Sequence, residues 1–126
     1  MIKFLISFLF LFKAMAAENS QPTRIGSKIF TEAYILSEIL AVQLEKNNFP
    51  VKRMAGLGAT GVTEEAMKQK KIDLIVDYSG SVAKAFLNQT KPMSVAEIRR
   101  QLKPLGFHIS EPLGFRNILK VPRFSR

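Results

Sequence analysis

The chain has 126 residues, of which 47% are apolar, so its length suits one modest domain and its composition excludes disorder as the default. It contains no cysteine, which excludes disulfides, thiolate metal sites, cysteine nucleophiles and a cysteine-linked lipid anchor. The formal net charge is +9, but the cations are scattered and not interleaved with aromatic residues. We therefore expect a solvated basic surface and no nucleic-acid partner.

The first 16 residues have the three parts of a secretory signal. A short basic start, Met1 to Lys3, precedes a largely apolar run up to Phe12, and Ala14-Met15-Ala16 gives a small-x-small cleavage pattern. The apolar run is about half of the ~20 residues that a membrane-spanning helix needs. We predict a signal peptide over 1–16, export to the periplasm and a mature domain that starts near residue 17.

Strand and helix patterns alternate along the rest of the chain. Predicted strands cover residues 23–28, 51–54, 72–76 and 107–110. Predicted helices cover residues 32–46, 62–70, 82–87 and 94–103, the first with a broad buried apolar face and the last with a capping box at its start. This order predicts an α/β fold with a mainly parallel sheet and flanking helices over 17–110, followed by an irregular, hinge-like stub over 111–126.

Three polar or aromatic side chains follow predicted strands. Lys28 ends the first strand, beside the start of a helix, and Tyr78 and Ser81 lie in a predicted loop after the third strand. Ligands of open α/β sheets bind outside the carboxyl ends of the strands, so one crevice could collect all three residues. A lysine and a hydroxyl suit a carboxylate, and a tyrosine ring attracts a quaternary ammonium group.

A glycine-rich loop leaves a second interpretation open. Gly56, Gly58 and Gly61 match the pattern G-x-G-x-x-G, with Asp77 downstream, as in a dinucleotide-binding oxidoreductase. The preceding strand is unusually polar for such a unit, and export separates the chain from nicotinamide cofactors. A non-enzymatic binding protein without cofactor is the preferred interpretation, and a partner-binding module without ligand is a third.

Four motifs carry a family resemblance that covers about residues 23–117. They are IGSKIFTEAYIL at 25–36, LGAT at 57–60, IDL and DYSGS between 72 and 81, and LGFRN at 113–117. Together they resemble the substrate-binding proteins of ABC importers for glycine betaine, choline and related osmoprotectants. The resemblance implies a two-lobed, type II periplasmic-binding (clamshell) fold, of which this chain is a partial first lobe.

The resemblance also implies roles for individual residues. Lys28 would contact the ligand carboxylate, and Tyr78 would form one wall of an aromatic cage around the trimethylammonium group. Ser81 stands where the family has a ligand-binding threonine, Thr60 lies in the family's glycine–threonine loop, and Gly61 falls where some members tune choline against betaine. The implied partners are a zwitterionic or quaternary-ammonium solute and an ABC permease of the inner membrane.

The pattern is lost after Asn117, where the family would continue into a second lobe. We therefore expect a truncated form with impaired ligand binding.

Overall fold

The computed structural model describes residues 21–114, so the predicted signal peptide and the stub beyond residue 114 lie outside the described residues. Its strands are β1 (Thr23–Lys28) and β2 (Val51–Gly58). Its helices are α1 (Thr31–Lys46), α2 (Val62–Lys68), α3 (Ser79–Leu87), α4 (Val95–Leu102) and a 3₁₀ turn (Lys103–Leu105). Parallel strands with helical connections make this an α/β fold, as predicted.

β1 and β2 form a parallel pair in which α1 is the crossover helix. The register runs from Thr23 opposite Val51 and shifts after Gly26, so that Lys28 lies opposite Gly58. β1 is buried from Ile25 to its end, whereas β2 exposes much of its length. β1 is therefore the inner strand, and it carries Lys28 into the interior.

The predicted strand over 72–76 is reduced to a single bridge, in which Leu74 pairs with Ile25 in parallel. The Asp73 N–H donates to the Arg24 carbonyl at 2.8 Å, and the Gly26 N–H donates to the Leu74 carbonyl at 2.9 Å. The strand prediction was thus correct in position and wrong in extent.

The prediction that α1 is buried over a broad face was wrong for the described part of the chain. Ala41 is its only buried residue, while Ile35, Ile39 and Val42 are 56%, 60% and 37% exposed. A two-stranded sheet offers α1 too narrow a surface to cover that face.

Charge pairing helps to hold α1 against the sheet. Arg53 of β2 binds the carboxylates of Glu38 and Glu45, two turns apart on the helix, at 2.6–2.9 Å.

A cluster of apolar residues joins α3 to α4. Ala83, Ile98 and Leu102 are its buried centre, and the rings of Phe86 and Phe107 meet edge to face at 4.8 Å. The predicted strand over 107–110 is not formed, because Phe107 packs on this cluster and its N–H donates to the Leu102 carbonyl at the end of α4.

The predicted capping box is present at the start of α4, where Ser94 and Glu97 exchange hydrogen bonds. Among residues 21–114, no helix is both long enough and apolar enough to cross a membrane.

Candidate functional site

The site predicted from sequence centres on Lys28, and the structure places its ammonium group among carboxylates. Lys28 Nζ lies 2.8 Å from Glu64 Oε1 of α2 and 2.9 Å from both carboxylate oxygens of Asp77, just before α3. The three side chains are only 7%, 1% and 5% exposed. A buried charge is costly unless it is paired, so these carboxylates account for a lysine at this position.

The ionisation of the three groups is set by burial and by one another. Burial disfavours the charged form of Lys28, but the attraction of the Glu64 and Asp77 carboxylates outweighs it and raises the pKa of the lysine. Burial likewise opposes ionisation of Glu64, yet Lys28 and two backbone N–H groups lower the pKa of that carboxyl. For Asp77, burial prevails over the attraction of Lys28 and raises the pKa.

Each carboxylate also accepts a hydrogen bond from the backbone of a predicted ligand-binding residue. Glu64 Oε2 accepts the Gly61 N–H at 2.7 Å, and Asp77 Oδ1 accepts the Tyr78 N–H at 2.8 Å. The end of β1, the turn before α2 and the start of α3 are thus connected through Lys28. The structure brings the neighbourhoods of Lys28, Gly61 and Tyr78 together at one corner.

Tyr78 is the residue that precedes α3, in an extended conformation, and it is half-buried. Its hydroxyl group donates a hydrogen bond to the Glu32 carboxylate in the first turn of α1. That hydrogen bond, with burial and nearby negative charge, raises the pKa of Tyr78. The ring is therefore tethered at its hydroxyl end between α1 and α3.

The remaining predicted residues occupy two different settings. Thr60 and Gly61 are exposed in the turn before α2, and a Cβ added to Gly61 (φ 99°) would meet no atom within 4 Å. Ser81 is half-buried. It lies within α3, because that helix starts at Ser79, three residues earlier than predicted. Ser81 is thus a helical residue and not a loop residue.

The glycine-rich loop is shorter than the sequence indicates, because β2 continues to Gly58 instead of ending at residue 54. A side chain at Gly56 would overlap the Tyr34 hydroxyl group, and a Cβ at Gly58 would lie 2.8 Å from Val62 Cβ. Both glycines are explained by close packing, so the spacing of the motif needs no bound phosphate.

Sequence reasoning missed Glu64 and Glu32 as site residues, and it considered Asp77 in the dinucleotide pattern and in the DYSGS motif but not as a partner of Lys28. One signal was available: a lysine that ends a buried strand requires an anionic partner. Which carboxylates supply it depends on contacts 36 and 49 residues along the chain, which spacing does not reveal. Within residues 21–114, no group of three or more His, Asp or Glu side chains has the geometry of a metal site.

Two open hollows lie elsewhere on the described surface. One, of about 460 Å³, lies between α3 and the segment 89–93, and the other, of about 230 Å³, lies between α1 and β2. None of the five predicted ligand-binding residues lines either hollow.

Comparison with known proteins gives relatives whose names describe binding of glycine betaine or ergothioneine. A glycine-betaine-binding protein of Pseudomonas aeruginosa is 33% identical over 95 residues, 75% of this chain and 30% of that protein. The ergothioneine transport permease/ergothioneine binding protein EgtU of Helicobacter pylori is 36% identical over 92 residues, 67% of this chain and 16% of EgtU. The chain thus spans less than a third of the length of these curated relatives.

A solved structure supports the fold. Apo YehZ from Escherichia coli matches with a TM-score of 0.61 and 24% identity over 68% of this chain and 32% of YehZ.

The family model for the substrate-binding domain of ABC-type glycine betaine transport systems matches residues 21–117. That match covers most of the chain and all of its described part, and it agrees with the resemblance in sequence motifs. A solute-binding family also disfavours the dinucleotide-dependent enzyme considered above. The chain belongs to the family of substrate-binding domains of ABC-type glycine betaine transport systems.

Proposed function

We propose that the chain is a solute-binding component, or part of one, of an ABC importer for quaternary-ammonium osmoprotectants of the glycine betaine and choline type. The observation that carries the proposal is the corner where the end of β1, the turn at Gly61 and the start of α3 meet within the region that matches the family. Such a corner is where ligands of parallel sheets bind.

In this proposal the ligand lies over that corner, against Tyr78. The aromatic ring attracts the trimethylammonium group, an interaction of about 0.5–2 kcal/mol per ring. Thr60 and Gly61 contribute from the exposed turn, and Ser81 from α3, as the family resemblance implies. A direct contact of Lys28 with a ligand carboxylate stays a prediction.

Binding by this chain alone is expected to be weak. One ring cannot enclose a trimethylammonium group on all sides, and the chain spans at most about a third of its relatives. Ergothioneine is a second candidate ligand, because EgtU is among the relatives and because both solutes carry a trimethylammonium group and a carboxylate.

The experiment uses the two tyrosines of the chain as probes. Glycine betaine, choline, ergothioneine and glycine are titrated into the full chain, and the ring resonances of Tyr78 and Tyr34 are followed by NMR. We expect Tyr78 to shift with ligands that carry a trimethylammonium group and not with glycine. Tyr78→Leu should abolish the response at the remaining protein resonances, whereas the matched control Tyr34→Leu should retain it.

Equal responses to glycine and glycine betaine, or no Tyr78 response to any of the solutes, would refute the ligand proposal. Micromolar affinity in calorimetry would refute only the expectation that this chain binds weakly.

We further propose that the protein acts in the periplasm and delivers its ligand to a permease of the inner membrane. Support comes from the signal-like segment over 1–16 and from the ABC-transport family. Cell fractionation with N-terminal sequencing tests the proposal, and a mature start near Ala17 in the periplasmic fraction is the expected result. Full-length protein retained in the cytoplasm would contradict it.

A further inference from the structure

The side chain of Tyr78 is held at both of its ends. At the backbone, its N–H donates to the Asp77 carboxylate at 2.8 Å, and its carbonyl accepts the Val82 N–H at 3.0 Å where α3 begins. At the tip, its hydroxyl group donates to the carboxylate of Glu32, 46 residues away in the first turn of α1. A side chain fixed at its backbone and at its tip has little rotational freedom left, so Glu32 sets the position of this ring.

The same hydrogen bond determines which way the ring faces. The hydroxyl oxygen of a tyrosine is conjugated with the ring, so its O–H bond lies in the ring plane. The Glu32 carboxylate that accepts this proton therefore lies beside the edge of the Tyr78 ring and leaves the faces free. The edge of an aromatic ring is electron-poor and its face is electron-rich, so this arrangement is favourable and presents the face to a cation.

The charge of Glu32 adds to the effect of its position. A charged acceptor polarises an O–H group more strongly than a neutral acceptor does, which increases the electron density of the ring. Quaternary ammonium groups are attracted by the electron density of aromatic faces. The Tyr78 ring should therefore attract such a group more strongly with a carboxylate on its hydroxyl group than without one.

We propose that Glu32 is a positioning residue, which fixes and polarises the Tyr78 ring against which the trimethylammonium group of the ligand packs. The inference deepens the proposed function and rests on it for the identity of the ligand. Glu32 lies within the first of the four sequence motifs, but the resemblance gave it no role. It acts through the hydroxyl group of Tyr78 and needs no contact with the ligand.

The first experiment separates action through Tyr78 from a general effect of charge. Glycine betaine and choline are titrated into the full chain and followed by NMR in the wild type, Glu32→Gln, Tyr78→Phe and the double variant. Glu32→Gln keeps an oxygen acceptor but removes the charge, so we expect both ligands to bind about two- to fivefold more weakly. Tyr78→Phe keeps the ring and loses the hydroxyl group, so in that background Glu32→Gln should have no further effect.

Glu65→Gln is the matched control for this experiment. Glu65 is also an exposed carboxylate in the first turn of a helix, α2, but its partner is the side chain of Gln69. Its substitution should leave both affinities unchanged. Equal losses from Glu32→Gln with and without the Tyr78 hydroxyl group, an equal loss from Glu65→Gln, or no loss at all would overturn the proposal.

The second experiment needs no ligand and so separates this inference from the proposed function. The phenol group of Tyr78 is titrated with base and followed by NMR. The hydrogen bond with Glu32, together with burial and the charges of Glu32 and Asp77, raises the pKa of Tyr78. Removal of one of these charges in Glu32→Gln should lower that pKa, whereas Glu65→Gln should leave it unchanged.

The side-chain torsion of Tyr78 reports on the position of the ring. Three-bond couplings between Hα and Hβ should indicate one rotamer in the wild type and in Glu32→Gln, and several rotamers in Glu32→Ala, which has no acceptor. Glu32 is exposed, so these variants are expected to fold. Unchanged couplings in Glu32→Ala, or an unchanged pKa of Tyr78 in Glu32→Gln, would overturn the proposal. Absence of ligand binding by the wild type would instead refute the proposed function, and the couplings and the titration would still decide whether Glu32 holds the ring.

Discussion

At the scale of single residues, Lys28 shows how one buried charge determines its surroundings. The cation is matched by two carboxylates on different elements, and all three are more than nine-tenths buried. Removing one partner of a buried ion pair typically costs about 3–5 kcal/mol, because the other charge is left unpaired. The contrast within β1 is Arg24, whose pair with Asp73 is about 40% exposed and contributes far less.

Substitution of Gly26 should lower the stability of the fold. A Cβ at this position would lie 2.6 Å from Ile72 Cδ1 and 3.2 Å from Leu57 Cδ1, and Ile72 is buried. We expect Gly26→Ala to lower the free energy of unfolding by about 1–3 kcal/mol, the usual cost of overpacking.

Chemical denaturation measures this change. The control is Gly80→Ala in α3, where a Cβ would meet nothing within 4 Å and alanine favours the helix. Equal stability of the two variants would show that the space around Gly26 is not tight.

At the scale of elements, local sequence signals specified the helices well. α1 begins one residue before the predicted start, and the Ser94–Glu97 capping box lies where the pattern indicated it. Both depend on residues within a single turn of one another. The strand at 72–76 was overestimated, because its extent depends on pairing with β1, which is distant in sequence.

The cap of α4 gives a prediction at this scale. Ser94→Ala removes the oxygen that accepts the Glu97 N–H, so we expect a loss of about 1 kcal/mol in the free energy of unfolding. Ser94→Asp should restore most of it, since aspartate caps helices equally well. Ser79→Ala, at an exposed position in the first turn of α3, is the control in thermal and urea denaturation. A Ser94→Ala variant whose free energy of unfolding equals that of the wild type would contradict the role of Ser94 as the cap of α4.

At the scale of the whole molecule, the described residues bury one apolar cluster between α3 and α4, and three further apolar side chains, Ile25, Ala41 and Ile72, are buried elsewhere. Sequence indicated the fold class and the corner where the end of β1, the turn at Gly61 and the start of α3 meet, since both follow from the order of strands and helices. It did not indicate that Lys28 faces Glu64 and Asp77, because that depends on packing between three elements. It also predicted a buried face on α1, because the sequence pattern does not specify how much sheet covers a helix.

The exposed face of α1 can be tested by charge insertion. Ile39 is 60% exposed, so Ile39→Lys should change the free energy of unfolding by no more than about 0.5 kcal/mol. Ile98 is 1% exposed, and Ile98→Ala should cost about 2–5 kcal/mol. Urea unfolding together with sedimentation velocity checks both values. A strongly destabilised Ile39→Lys variant, or one that sediments as a smaller species than the wild type, would show that this face is covered in solution.

The unpaired edge of β2 affects how readily the chain aggregates. Within residues 21–114 it is bonded to β1 on one side, and no other strand lies along its outer side. The unpaired backbone groups of an edge strand can pair with other copies of the chain and so form fibrils, and charged side chains on the edge oppose this pairing. Lys52 and Arg53 lie on that edge, so replacing them with neutral residues should turn β2 into a seed for amyloid-like assembly.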